Sequence, residues 1–142
     1  MAESPNVLTL EVTTPLGVAV KLDTDSVQVP SVMGELGVLP GHVPLLAAVK
    51  PGILGYRRDG QAVRAAIGGG YAEIDFGRVR VLAEFFARPE DVDAEQARRD
   101  LDAAEARLKA HDGPIDDTEH KEAQRELDWA LARLALVGGE AN

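Results

Sequence analysis

Cysteine is absent from this chain, which excludes disulfides and thiolate metal sites and fits a reducing compartment. Aromatic residues make up only 4%, so core burial must come from Val, Leu, Ile and Ala. No apolar run approaches the ~20 residues needed to span a bilayer. The opening Met1-Ala2-Glu3-Ser4-Pro5 has neither a basic region followed by an apolar core nor an Arg-rich stretch. Neither a secretory signal nor a mitochondrial presequence is expected there. Positive charge is in deficit. The formal net charge of -9 argues against a nucleic-acid partner, because phosphate binding needs a basic surface.

What is present falls into two halves with different periods, within a length of 142 residues that allows one compact domain plus an appendage. Residues 7 to about 86 alternate apolar and polar: Leu8, Leu10 and Val12; Val18, Val20 and Leu22; Val63, Ala65 and Ile67; Ala72, Ile74 and Phe76. Period two sends one set of side chains to a buried face. Pro15-Leu16-Gly17, Asp59-Gly60 and Gly77 supply turns between these runs. Many short strands with closely spaced turns predict a β-sandwich or a flattened barrel.

At Pro89 the period changes. Ala94, Ala97, Leu101, Ala104 and Leu108 recur at spacings of three and four, as do Ala123, Leu127, Ala130, Leu134 and Val137. That is helical periodicity with one apolar seam per helix. Gly113-Pro114 cannot continue a helix, so the two helices fold back as an antiparallel hairpin. Asp93 with Gln96, and Asp116 with Glu119, have capping-box spacing, with Val92 and Ile115 placed for hydrophobic staples. The fold class is mostly β plus α: a β-sandwich domain over residues 1–87 and a helical hairpin over 88–142. The seam is rich in alanine, which removes little area from water, so the hairpin should be held weakly and be a candidate for movement. Past Leu127 the second helix is apolar nearly all round and wants a second surface, such as a partner protein.

Candidates for chemistry are few. Gly68-Gly69-Gly70 lacks the lysine, hydroxyl and helix of a phosphate loop and reads as a bulge or close backbone approach. The histidines, His42, His111 and His120, have no zinc-ligand spacing, and the last two read as solvated residues bracketing the hairpin turn. No nucleophile accompanies His42, so a small hydrolase built on it lacks its partners. Glu73, Asp75 and Glu84 read as the wet face of strands. The run Gly34-Glu35-Leu36-Gly37-Val38-Leu39-Pro40-Gly41-His42-Val43-Pro44-Leu45-Leu46 is poor helix and poor central-strand material. It reads as a loop that turns sharply twice and shows Glu35 and His42 at its rim.

That run continues through Ala47-Ala48-Val49-Lys50-Pro51-Gly52. Together with Ala66 to Ile74 and Val79-Arg80-Val81-Leu82-Ala83-Glu84 leading to Val92-Asp93, it resembles the epsilon subunit of the F-type rotary ATP synthase, bacterial or plastid type, over residues 6 to 137. The resemblance implies a non-catalytic central-stalk subunit with no catalytic residue, cofactor or metal. Its sandwich would bind the gamma subunit and sit on the c-ring, coupling proton flow to ATP synthesis. It implies a c-ring contact at Glu35, Gly37, Pro40, Gly41 and His42, with Leu39, Val43, Leu45 and Leu46 in strand core or at the gamma interface. A partner-helix face would lie at Leu127, Trp129, Leu131, Arg133 and Leu134, and a mobile hairpin would inhibit ATP hydrolysis by meeting the alpha and beta subunits. The location implied is the cytoplasmic face of the bacterial inner membrane, peripheral and held through the complex.

Two departures qualify that picture. Some family members bind ATP on the hairpin through Ile/Leu-Asp-x-x-Arg-Ala, but here Val92-Asp93-Ala94-Glu95-Gln96-Ala97 puts Gln96 at the arginine position. Asp93, Arg98, Arg99 and Arg133 remain as ATP contacts, and the helix cap is the favoured role for Asp93. Weak or absent ATP binding follows, with an ATP-sensing regulatory module as the alternative function. From residue 88 onward eight Arg and Lys face fifteen Asp and Glu, the wrong sign for long-range attraction to an acidic partner loop. Local contacts by Arg125 and Arg133 remain.

Overall fold

The computed structural model describes residues 7–138. The outer ends of both domains assigned from the sequence, and the Met1–Pro5 stretch, lie outside the described residues. Ten strands come first. They are β1 (Leu8–Thr14), β2 (Gly17–Thr24), β3 (Val27–Ser31), β4 (Gly34–Val38) and β5 (Leu45–Val49), then β6 (Gly52–Arg58), β7 (Gln61–Ile67), β8 (Gly70–Asp75), β9 (Arg78–Ala83) and β10 (Phe86–Ala87). A 3-10 turn (Pro89–Asp91) leads into helices α1 (Ala94–Ala110) and α2 (Thr118–Gly138).

Hydrogen bonding runs in the order β10-β7-β6-β3-β5-β8-β9-β1-β2, with β4 paired to β3 off that path. β3 joins the two leaves: Val27 and Gln28 pair with β6, while Ser31 pairs with Val49 of β5. The sheet folds over at β3, and the alternating residues of both leaves meet. Leu8, Leu10, Val12, Val29, Leu54, Ile67, Ile74, Val79 and Val81 form one core cluster. This is the sandwich that the period-two pattern predicts.

Two side chains leave the face the alternation assigns them. The β1–β2 register shifts between Val12 and Thr13, so that Val12 faces Val20 but Thr13 faces Val18. Ala19 is the extra residue of a bulge, which turns Val18 outward while Val20 stays buried. The Ala19 carbonyl, displaced from the ladder, accepts from Arg88 Nη2 at 2.9 Å. Phe76, expected on the buried face with Ala72 and Ile74, occupies a turn with φ 48° and is exposed.

The helices pack as an antiparallel pair, with Ala97 and Ala104 of α1 and Ala123 and Ala130 of α2 buried. Asp93 caps α1, accepting from the Glu95 and Gln96 amides at 3.1 Å each. Gln96 does not complete a capping box; its side chain donates to Asp100 at 2.8 Å instead. The expected cap at Asp116 falls one residue later. Asp117 Oδ1 accepts from the His120 amide at 2.9 Å, and the Asp117 carbonyl takes the first helical bond, from Lys121. Ile115 is exposed rather than stapled, because with the cap at Asp117 it sits one position too early. Val92 packs instead against the Ala66–Ala132–Leu136 cluster, where α2 meets the sheet.

Candidate functional site

The run from Gly34 to Leu46 is not one loop. Gly34–Val38 is a strand, because Leu36 and Val38 alternate toward the core and the glycines sit where β4 pairs with β3 alone. The irregular part is residues 39–44. There the His42 amide donates to the Leu39 carbonyl at 3.1 Å across Pro40 and Gly41, and Gly41 has φ 88°. Proline at the second position and a left-handed glycine at the third fit a type II turn. His42 Nδ1 lies 2.7 Å from the Val43 carbonyl, so the imidazole is tied to its own loop.

Of the residues assigned to the c-ring contact, Pro40, Gly41 and His42 share this turn, while Glu35 and Gly37 stand on β4. Among the described residues no hydrogen bond or ion pair joins Glu35 to His42. Glu35 lines a groove of about 970 Å³ between the β3–β6 leaf and α2, together with Lys50, Arg64, Asp128 and Leu131. Leu39, Val43, Leu45 and Leu46 are all exposed. None is strand core: Leu39 and Val43 lie off the strands, and Leu45 and Leu46 begin β5 with their side chains open to water.

The assigned partner face of α2 makes contacts within the chain. Trp129 stacks on Phe85 with ring centroids 5.2 Å apart. Arg133 lies over the Trp129 ring and donates to Asp100 of α1 at 3.1 Å. Leu127 and Leu134 are half-buried beside α1, and Leu131 is exposed over the groove. The residues carried over as ATP contacts are dispersed in role. Asp93 caps α1, Arg99 donates to Gln96 at 2.8 Å, Arg133 pairs with Asp100, and Arg98 is exposed. In Gly68-Gly69-Gly70, the Gly68 amide is taken by the Phe85 carbonyl, and a side chain at Gly70 would meet the Leu82 carbonyl at 1.8 Å. These glycines serve close strand packing.

Sequence reasoning missed the surroundings of His111. Its side chain is 7% exposed, not solvated. Nε2 lies 3.0 Å from the Pro114 carbonyl and 3.3 Å from Asp117, and Nδ1 lies 3.3 Å from Glu119. The His120 ring is tilted against it at 5.4 Å. The Pro114 carbonyl, then Glu119 and Asp117, raise the His111 pKa above the ordinary imidazole value, with burial opposing. The signal available was acid at six and eight residues beyond a histidine, across a Gly-Pro turn. Among the described residues, no group of three or more His, Asp or Glu could hold a metal ion, and no helix is long and apolar enough to cross a membrane.

Comparison with known proteins covers the described chain. Residues 7–89 match the family described as ATP synthase, Delta/Epsilon chain, beta-sandwich domain, and residues 90–138 match its long alpha-helix domain. The ATP synthase epsilon chain of Nitratidesulfovibrio vulgaris is 42% identical over 101 residues, 71% of this chain and 75% of that one. That of Carboxydothermus hydrogenoformans is 41% identical over 99 residues, covering 70% and 74%. In fold, the chain resembles one in the Euglena gracilis mitochondrial ATP synthase OSCP/F1/c-ring structure, with TM-score 0.76, 22% identity, and coverage of 92% and 81%. A chain of the Tetrahymena thermophila mitochondrial ATP synthase central stalk/c-ring gives TM-score 0.56 at 14% identity, covering 93% and 94%. The switch from sandwich to alanine-seamed hairpin and both family matches agree: the chain belongs to the ATP synthase epsilon-chain family, non-catalytic subunits of the central stalk.

Proposed function

We propose that the sandwich docks on the gamma subunit by the outer face of its β5-β8-β9-β1-β2 leaf and on the c-ring by the end that carries the 39–44 turn. An apolar belt in cross-strand register carries the gamma assignment. Ala48 pairs with Tyr71, Tyr71 with Leu82, Leu82 with Thr13, and Thr13 with Val18. Tyr71, Leu82 and Val18 are 58%, 54% and 59% exposed. A contiguous apolar stripe open to water marks a protein contact. The chains of similar fold come from an OSCP/F1/c-ring assembly and a central stalk/c-ring assembly, which supports the same reading. Coupling of rotation to ATP synthesis, a peripheral position on the cytoplasmic face of a bacterial inner membrane, and inhibition of hydrolysis by a released hairpin complete the proposal.

ATP binding is weak or absent in this proposal. The Asp93 carboxylate is engaged with two α1 amides and Arg133 with Asp100, so a triphosphate would have to break existing bonds. The test is reconstitution of a synthase depleted of this subunit, read as proton-coupled ATP synthesis. Wild-type chain restores coupling, Tyr71→Asp loses gamma binding, and His42→Ala keeps gamma binding while weakening the c-ring contact. Undiminished gamma affinity in Tyr71→Asp removes the belt from the interface.

A further inference from the structure

Two hairpins of the sandwich close with the same tight turn and different chemistry. Asp59-Gly60 joins β6 to β7 with φ 52° and 79°, and Phe76-Gly77 joins β8 to β9 with φ 48° and 82°. Both central residues at positive φ make type I′ geometry, which favours Asn, Asp or Gly at the first position. Asp59 fits that preference, because a short polar side chain tolerates the left-handed region. An aromatic residue does not fit it. Phe76 is also 74% exposed, so no burial within the chain offsets the strain. Residues kept in such backbone states cluster at functional contacts.

The position of the turn says which contact. β5 and β8 leave their ladder together at the Leu45–Ile74 pair, so the strand leading into Phe76 runs out beside the connection that holds His42 and Val43. The Thr9 amide donates to the Gly77 carbonyl at 2.9 Å, fixing the turn from the β1 side. The ring is thus an apolar tip on a braced turn at the end of the sandwich assigned to the c-ring. A ring of identical subunits repeats the same seam at every subunit boundary, and a rigid aromatic tip suits a seam of that kind.

We propose that Phe76 is an apolar anchor for the c-ring, held in a strained turn by the demands of that contact rather than of the fold. This rests on the c-ring reading above. The test measures the full-length chain and its Phe76→Asn variant in parallel, for thermal midpoint and for binding to gamma alone and to detergent-solubilised c-ring carrying gamma. Phe76→Asn relieves the turn, so its midpoint rises by a few degrees. Its affinity for gamma alone is unchanged. Its affinity for gamma with the c-ring falls about tenfold, and Phe76→Leu recovers part of that loss. A wild-type chain that gains nothing from the c-ring over gamma alone overturns the c-ring reading and this proposal together. A wild-type chain that does gain, with Phe76→Asn gaining equally, overturns the anchor alone. A lower midpoint in Phe76→Asn overturns the strain argument.

Discussion

The sandwich and the hairpin bury themselves with different residues. In the sandwich Leu8, Leu10, Leu54, Ile67 and Val81 have almost no exposed surface. In the seam between the helices the fully buried residues are Ala97, Ala104, Ala123 and Ala130, with leucines only half-buried beside them. A buried leucine contributes roughly 1.5–3 kcal/mol, and alanine offers far less apolar area. The hairpin makes up part of the difference with polar pairs, Arg107 with Glu122 and Glu126 and Arg133 with Asp100. Such pairs survive exposure to water, so helices joined by them can part at little cost. On the proposed function, the all-β half would stay folded while the helical half changes position.

The largest expected effect falls on the sandwich. Leu10→Ala, at a side chain with no exposed surface, should cost about 2–5 kcal/mol and lower the main unfolding transition by denaturant or heat. Should the helices unfold in that same transition at every condition, the contrast between the halves is broken. Trp129→Ala comes next, at about 2 kcal/mol because the ring is only half-buried, and it removes the stack on Phe85. Amide exchange in α1 and α2 should speed up while the β1 and β9 amides keep their protection. Ala130→Leu should cost about 1–2 kcal/mol by forcing the seam apart. A wider helix separation with an unchanged sandwich spectrum is the expected signature, and a stabilised hairpin would show that the seam has room to spare.

The smallest effect depends on pH and sharpens the contrast within the hairpin. Both nitrogens of His111 face acceptors, and its pKa is raised by the Pro114 carbonyl and the Glu119 and Asp117 carboxylates. A raised folded-state value means its contribution is complete below the unfolded value of about 6.5 and disappears as pH rises through the folded value. Exchange protection of the Asp117 to Lys121 amides, corrected for intrinsic rates, should therefore drop as pH rises through the folded-state value, above 6.5. His111→Gln should flatten that dependence, and a histidine resonance titrating below 6.5 would remove the clamp.

Period reading recovered the architecture because burial is periodic: the strands of β1, β7 and β8 and both helices stand where Leu8 to Val12, Val63 to Ile67, Ala72 to Ile74 and Ala94 to Val137 imply. It failed where one residue interrupts the period. Nothing in the local pattern says that Ala19 bulges and turns Val18 to the outer belt. Nothing says that the left-handed turn throws Phe76 off the buried face, since the turn signal lies in Gly77. Ala66 reads as a polar-side position, yet it is buried because α2 covers it, a tertiary fact. The residues assigned to the c-ring contact read as one loop in the sequence, and their division between two elements was not legible. The same thirteen-residue run holds an edge strand, which takes Glu35 to the groove under α2, and a separate turn, which takes His42 to the end of the sandwich.

The bulge at Ala19 reaches further than the strand it bends. By freeing a carbonyl for Arg88, whose guanidinium also lies over the Phe86 ring at 5.1 Å, it fastens the chain to β2 just before α1 begins. The helical half then has a fixed pivot. With α1 17 residues long, or about 26 Å at 1.5 Å per residue, the His111 end of a released hairpin, as proposed, would travel on an arc of that radius while its root stays put. The proposed displacements of the hairpin would therefore be swings of a lever, largest at the acidic α1–α2 connection and smallest where Val92 touches the sheet.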